Sequence, residues 1–292
     1  MKMSNNCIKK EKIRNMNRLL HKALFLVALL AFAQGVEAQN LKIISFNIRY
    51  NSYNNIDGEN GWPSRRDAVA RMILEEKPAV IGLQEALIDQ LQYLDSCLPG
   101  YRRVGVGRDD GKEAGEFMAI YYDSGRMEYL RYDTWWLGEH PEVPSLGWDA
   151  ACRRTVTALH LRDRQSNREF VYLNTHLDHV GTTARAEGAK LIAAIRESQF
   201  PDHPIILGGD MNTTIEDTIF QAFYRVGLKP ARELTPITCH KNTYTGFGKD
   251  KPTLIDHFFV SDITVESFCT LDGDYGVPYI SDHYPIMMVI HL

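Results

Sequence analysis

The sequence predicts an α/β fold of two packed sheets with helices on their outer faces. Three observations carry this. Short apolar runs of strand length alternate with segments of helical periodicity in both halves of the chain. Many of those runs end in Asn, Asp, Glu or His, the placement open α/β sheets use for ligand-facing side chains. The 292 residues, 44% hydrophobic and 24% charged, suffice for one large α/β domain, and no repeat, low-complexity tract or heptad run interrupts them.

The N-terminus stands apart. Lys and Arg are scattered through Met1–Lys22, and Ala23–Ala33 (ALFLVALLAFA) is an apolar core of eleven residues. Small residues then lead to Val36-Glu37-Ala38 before Gln39. Residues 1–38 therefore read as a secretory signal peptide, and export to the periplasm or beyond is expected. Met16 would start a signal of normal length by itself. The apolar run falls short of the ~20 residues of a spanning helix, and no Cys follows it closely enough for a lipid anchor. Residues 39–292 remain as a single domain. Without the seven Lys/Arg and two Asp/Glu of residues 1–38, the totals of 33 and 37 become 26 and 35, a net charge of −9. Such a chain lacks the global field that draws in polyphosphate backbones. Cys97, Cys152, Cys239 and Cys269 fit no zinc spacing. They allow three disulfide pairings, or serve equally as isolated thiols.

Leu41–Tyr50 (LKIISFNIRY) reads as a strand with Asn47 near its end. After a polar loop, Trp62-Pro63-Ser64 opens a helix through Glu76, with Ala68, Val69, Met72 and Ile73 at helical spacing and Pro78 as its stop. A strand from Ala79 ends in Gln84-Glu85, and Leu87–Leu98 is helical. Two or three strands follow, among them Glu116–Tyr122. Trp135–Asp149 is a long Pro/Gly/Trp-rich loop and a candidate binding loop, with Trp136 and Trp148 as flat apolar walls. Thr155–Leu161 and Glu169–Thr175 are strands, the second ending in His176, and Thr183–Ser198 is a helix. In Pro204–Thr213 (PIILGGDMNT), Ile205–Leu207 is a buried strand and Gly208-Gly209 a turn that presents Asp210 and Asn212. Ile215–Val226 is helical, and Leu254–Val260 and Ile286–Leu292 are the last strands.

Asn47, Glu85, Glu116, His176, Asp210, Asn212, Asp256 and the Asp282-His283 pair thus lie at strand exits. Singly, each reads equally as a cap, a turn or a satisfied polar residue. Together they are oxygen donors and imidazoles with almost no Ser or Cys nucleophile. Hard oxygen donors suit Mg²⁺ or Mn²⁺. Imidazoles without metal-pair spacing suit proton transfer or transition-state donation. That set fits metal-assisted attack of water on phosphorus.

The motifs SFNIR, LQE, NTHLD, GGDMN, IDHFF and SDHYP, in this order, resemble the endonuclease/exonuclease/phosphatase superfamily, in a secreted bacterial branch. The match runs from Leu41 to Leu292. The resemblance implies a deoxyribonuclease I-like, four-layer α-β-β-α sandwich of two mixed sheets, with the site where the loops of both sheets meet. It implies Glu85 as principal metal ligand, with Asn47 beside it and Asp282 on the metal or a bridging water. Asp210 would orient or deprotonate the attacking water, and Asn212 would hold that water or a phosphate oxygen. His283, fixed by Asp256, would contact the scissile phosphate. His176, oriented by Glu116, would stabilise the phosphoryl oxygens, both imidazoles working protonated. Arg153 matches a phosphate-side arginine, with Arg154 pointing away. Tyr244 and Trp62 are candidate substrate walls. Arg66, Asp178 and His179 are candidates for the pocket lining.

Neither a basic loop with interleaved aromatics nor a hydrophobic membrane-docking hairpin is present in the sequence. The expectation is a secreted, monomeric, Mg²⁺- or Mn²⁺-dependent phosphodiesterase or phosphatase acting on a small or exposed phosphoester. The alternative is an exported nuclease on extracellular DNA or RNA. A catalytically dead binding module would show gaps in the polar set, and none is found.

Overall fold

The computed structural model describes residues 40–292, which form one compact unit; the signal-peptide expectation for residues 1–38 lies outside them. The first sheet holds β1 (Leu41–Asn47), β2 (Val80–Ala86), β3 (Tyr101–Val104), β4 (Phe117–Asp123), β11 (Thr264–Thr270) and β12 (Ile286–His291), in the order β11-β12-β1-β2-β4-β3. The second holds β5 (Met127–Trp136), β6 (Thr155–Asp163), β7 (Glu169–His176), β8 (Ile205–Asp210), β9 (Lys229–Pro230) and β10 (Asp256–Ser261), in the order β5-β6-β7-β8-β10-β9. Each sheet has one parallel pair, β1 with β2 and β7 with β8, and both are mixed.

The central strands are buried on both faces, so β1 and β8 read as near-continuous apolar runs. Edge strand β5 is instead largely uncovered, leaving Tyr129 and Tyr132 exposed. Between the sheets lies a core that includes Ile43, Val80, Ile120, Leu159, Tyr172, Ile206, Phe258 and Met288. The outer face of the first sheet is covered by α1 (Trp62–Glu76) and α2 (Ile88–Cys97). That of the second is covered by α3 (Thr182–Gln199) and α4 (Gln221–Arg225). The result is the four-layer α-β-β-α sandwich. In α1, Pro63 sits in the first turn and Lys77 ends the helix in the left-handed region, its N–H reaching Ile73 O.

Three local expectations are corrected. Gly208 and Gly209 belong to β8 rather than a turn. A β-carbon at Gly208 would strike Tyr172 and Phe258, and one at Gly209 would strike the Thr175 backbone, so both glycines allow close approach within the sandwich. Trp135 and Trp136 end β5 instead of lying in a loop, and Trp136 is buried with its indole N–H donating to Arg108 O at 2.7 Å. Of Ile215–Val226 only a 3-10 turn and the short α4 form, while Thr264–Thr270 is an additional strand.

A buried polar seam registers the two sheets. Gln84 Nε2 donates to Asn174 Oδ1 at 2.6 Å and Ser45 Oγ at 3.0 Å. Asn174 Nδ2 donates to Leu83 O at 2.9 Å and Ala119 O at 2.8 Å. Gln84 Oε1 has no partner among the described residues, but these four bonds specify one alignment, because a slip would break several at once. The seam adjoins Glu85 and so sets where that carboxylate emerges. Among the described residues the four cysteines are all unpaired thiols, and no helix is long and apolar enough to cross a membrane.

Candidate active site

One end of the sandwich collects the polar strand exits. Asn47 is the last residue of β1, His176 of β7 and Asp210 of β8, and Asp256 is the first of β10. His176 pairs in register with Asp210, and Asp210 with Asp256, so three strands present them side by side. Glu85 lies in β2 at a register shift between Leu83 and Ala86, with φ 61°. That bulge turns its carboxylate towards the same end. Arg49 (φ 56°) and Asn212 (φ 50°) also hold left-handed backbone here. Such strain concentrates where a fold must aim side chains. Buried Arg65 fixes the approaches: it donates to the carbonyls of Ile48, Arg49, Asn60 and Ile280, tying the loop after β1 to the segment before Asp282. Burial pulls its guanidinium down to about 10, so it stays charged at neutral pH. Ser281 Oγ donates to Asn47 O at 2.7 Å and anchors the Asp282-His283 turn.

These residues frame a cleft of about 600 Å³ with two electrostatic poles. At the acidic pole stand Glu85, Asp282 and Asp210. Asn47 Nδ2 donates to Glu85 Oε1 and Asp210 Oδ2, both at 3.0 Å, while Asn47 Oδ1 accepts the Arg49 N–H at 3.0 Å. The oxygen expected to face a metal is thus turned to the backbone, and Asn47 acts as donor. Arg49 lies 3.9 Å from Glu85 Oε2 and 3.8 Å from Asp282 Oδ2, its guanidinium held by Asp57. Burial, reinforced by the charge of Glu85, pushes the Asp282 carboxyl up. Two convergent carboxylates that disfavour each other fit a hard divalent cation through Glu85 and Asp282.

Next to this pair runs a proton-holding chain. His283 Nδ1 is 2.8 Å from Asp256 Oδ2, and His283 Nε2 is 3.5 Å from Asp210 Oδ2. Burial opposes the charge on His283, but Asp256 and Asp210 overcome it and push the imidazole up to about 10. Burial and the neighbouring Asp256 push Asp210 up to about 7. Asp210, Asp256 and His283 also offer ligand atoms within 4.8 Å of one another. Their mutual bonds make them a holder of protons rather than of a cation.

At the basic pole stand Arg108, Arg154, His176 and His179. Arg154 is buried, donating to Asp178 Oδ2 at 3.2 Å and lying 2.9 Å from His179 Nδ1. Burial, then the charges of Arg154 and Arg108, hold His176 well below the usual imidazole range. His176 Nε2 lies 2.9 Å from Asn212 Nδ2, and its buried Nδ1 has no partner. Here the expectations need correction. Glu116 does not orient His176: it forms a bidentate pair with Arg108 at 2.6 and 2.8 Å, and burial lifts its carboxyl to about 7. The setting disfavours the protonated form expected of His176. Asn212 commits its amide hydrogens to His176 and Leu177 O, leaving its carbonyl oxygen as an acceptor suited to water rather than to phosphate.

The cleft therefore brings together Glu85, Glu116, His176, Asp210, Asn212, Tyr244, Asp282 and His283, with Asp256 behind His283 and Asn47 bonded to Glu85 and Asp210. The Tyr244 ring lies 5.1 Å from the His283 ring. Three expected substrate residues lie elsewhere. Trp62 is buried in the helix layer against Tyr93. Arg66 is exposed over the Tyr93 ring. Arg153 is half-exposed, 3.5 Å from Asp109, and Arg154 turns inward instead. Residues 152–154 precede β6, so strand alternation does not govern them. Neither Trp136 nor Trp148 lines the cleft. Arg49 and Arg108 are contributors the sequence reading missed. Arg49 sits within SFNIR, two residues after Asn47, whereas Arg108 lies in a loop with no motif.

A family model described as the endonuclease/exonuclease/phosphatase family matches residues 44–283. Among solved structures, the mannosyl-6-phosphatase of Bacteroides thetaiotaomicron is 31% identical with a TM-score of 0.81, covering 86% of this chain and 100% of its own. An endonuclease/exonuclease/phosphatase protein of Bacteroides vulgatus is 32% identical with a TM-score of 0.82, covering 87% and 99%. An uncharacterized protein of Acanthamoeba polyphaga mimivirus is 23% identical over 269 residues, 85% of this chain and 99% of that one.

Proposed function

Since the chain belongs to the endonuclease/exonuclease/phosphatase family, we propose that it is an exported, metal-assisted phosphoester hydrolase acting on a small phosphoester with an accessible phosphate. The observation that carries this is the meeting, in one cleft of about 600 Å³, of the Glu85–Asp282 pair with the Asp210–His283–Asp256 chain. That volume suits a small molecule. The similar phosphatase named for mannosyl 6-phosphate supports a sugar phosphate as one candidate.

When bound at Glu85 and Asp282, Mg²⁺ or Mn²⁺ would polarise the phosphoryl group and offset its charge. The chain's own residues do the rest. Asp210, oriented by the Asn47 amide, accepts a proton from the attacking water, with the Asn212 carbonyl as a second acceptor. His283, kept charged by Asp256, donates to the phosphoryl group or its leaving oxygen. His176 presents no negative group to the phosphate, and Arg108 and Arg154 supply the positive field on that side.

The test is a substrate panel on purified protein with Mg²⁺ or Mn²⁺: sugar phosphates, an aryl monoester, an aryl diester, phosphorylcholine lipids, DNA and RNA. The reading expects a small phosphoester to give the highest kcat/KM. Turnover fully retained in excess chelator would overturn it. A preference for DNA or RNA would favour the exported nuclease.

A further inference from the structure

A second cluster of ligating side chains lies well away from the cleft. His160 is on β6, Glu169 is the first residue of β7, and His203 sits two residues before β8. His176, at the cleft, closes β7 seven residues after Glu169, about 23 Å along the strand. One ligand atom from each of the three residues falls within 4.8 Å of the other two. His160 Nε2 is 2.9 Å from Glu169 Oε2, and His203 Nε2 is 4.0 Å from the same oxygen. The two imidazole centroids are 4.6 Å apart at 82°.

The polar bookkeeping of this cluster does not close. His160 Nε2 is engaged by Glu169 Oε2, whereas the buried His203 Nδ1 has no hydrogen-bond partner among the described residues. Buried polar atoms in folded proteins are rarely left so. Neutral imidazole is the form that binds a metal. Glu169 is already oriented for such a role. Arg162 takes its Oε1 at 2.6 and 3.1 Å, which leaves Oε2 towards the two rings. The nearby cations have acidic partners: Arg131 lies 4.0 Å from Asp133, and Arg162 is paired with Glu128 and Glu169.

We infer that His160, Glu169 and His203 form a second metal site, for a borderline divalent cation of the Zn²⁺ class. Two imidazoles and one carboxylate select Zn²⁺, whereas the all-oxygen pair Glu85–Asp282 selects harder ions. A tetrahedral ion with ligands at about 2.0–2.1 Å needs donor atoms roughly 3.4 Å apart, so small side-chain rotations close the site. Its role is a staple. It joins β6 to the start of β7 and to the entrance of β8, the two strands whose far ends carry His176 and Asp210. The inference stands independently of the hydrolase reading.

The test uses Zn²⁺ and, as a coloured probe, Co²⁺, added to chelator-stripped Glu85→Gln protein so that the cleft contributes little. One equivalent should bind, Co²⁺ should show tetrahedral d–d absorption, and Zn²⁺ should raise Tm. His160→Gln and His203→Asn should each weaken binding at least about tenfold and abolish the Tm shift. The same substitutions should leave the far-ultraviolet circular dichroism and the cooperative melt of the metal-free protein intact, which shows that they fold. Absence of stoichiometric binding, or binding unaltered by both substitutions, would overturn the site.

Discussion

The Asn47 carboxamide donates to the Asp210 carboxylate at 3.0 Å, and that bond joins the end of β1 in one sheet to the end of β8 in the other. Its second hydrogen goes to Glu85 at 3.0 Å. One amide thus fixes the spacing between the carboxylate proposed to hold the cation and the one proposed to take the water's proton. Any rotation of one sheet against the other would break it, so it ties catalytic geometry to the integrity of the sandwich.

Asp210 itself is held at a cost. Burial and Asp256 lift its folded pKa to about 7, above the ~3.9 of an unfolded Asp. A raised folded pKa means that stability is lost as pH rises from that unfolded value through about 7. Asp210→Asn removes the buried charge. It should lose on the order of 10²–10⁴ in kcat with KM little changed. Without added metal it should unfold at higher denaturant than wild type at about pH 8, an advantage that shrinks towards about pH 5. Equal stability at both pH values would show that the carboxylate is not strained there.

His283 makes the opposite use of burial. Its partner Asp256 accepts at 2.8 Å and keeps the ring charged up to about pH 10. Because the charged imidazole is the working form, activity should fall on the alkaline side as His283 loses its proton. Asp256→Asn removes the larger of the two opposing carboxylate effects. The alkaline limb of the kcat profile should therefore move to lower pH. An unmoved limb would refute the pairing as the source of that limb.

The architecture was legible because it is written in periodicity and strand exits: β1, β2, β7, β8 and β12 each begin or end within a few residues of the expected place. The Asp256–His283 pair was legible only through the family resemblance carried by IDHFF and SDHYP. What the sequence hid are relations fixed only in three dimensions. Gly208 and Gly209 look like a turn, and only the packing of Tyr172 and Thr175 against them shows why they are glycine. Glu116 leads into β4 as an orienting acid would, but the 107–116 loop folds Arg108 back onto it. Arg154 and Arg153 are neighbours with opposite fates because Asp178, itself bound by the Ala151, Val180 and Gly181 N–H groups, selects one of them. Trp62 and Trp136 are apolar enough to serve either a wall or a core, and both are buried in the interior.

Arg49 supplies a prediction that separates charge balance from catalysis. Its guanidinium stands within 4 Å of Glu85 and Asp282, the carboxylates assigned to the cation. It lowers their mutual repulsion and competes with a divalent ion for the same field. Arg49→Met should bind Mn²⁺ more tightly by calorimetry, while its Tm without metal falls below wild type. Glu85→Gln should do the reverse to Mn²⁺ affinity, by about tenfold or more. Weaker Mn²⁺ binding in Arg49→Met would mean that the arginine organises the carboxylates more than it opposes the ion.

Substrate class is decided by charge at longer range. Affinity for a nucleic-acid strand comes from neutralising several phosphates and falls steeply with salt. Residues 39–292 carry a net charge of −9. The basic groups lining the cleft are Arg49, Arg108 and Arg154 with three histidines, and each arginine is already paired with a carboxylate. Such a set suits one phosphate at the centre of a small cleft, and the exposed Arg66 and half-exposed Arg153 are themselves close to Asp67 and Asp109. A small phosphoester should therefore exceed duplex DNA in kcat/KM, with turnover almost flat in salt below about 0.2 M, because one contact releases few counterions. The measurement is a salt series on a sugar phosphate, an aryl monoester and duplex DNA under the same metal conditions. Faster cleavage of the duplex, with a log–log salt slope of several units, would transfer the site to the nucleases and require a phosphate track along the rim that these residues do not form.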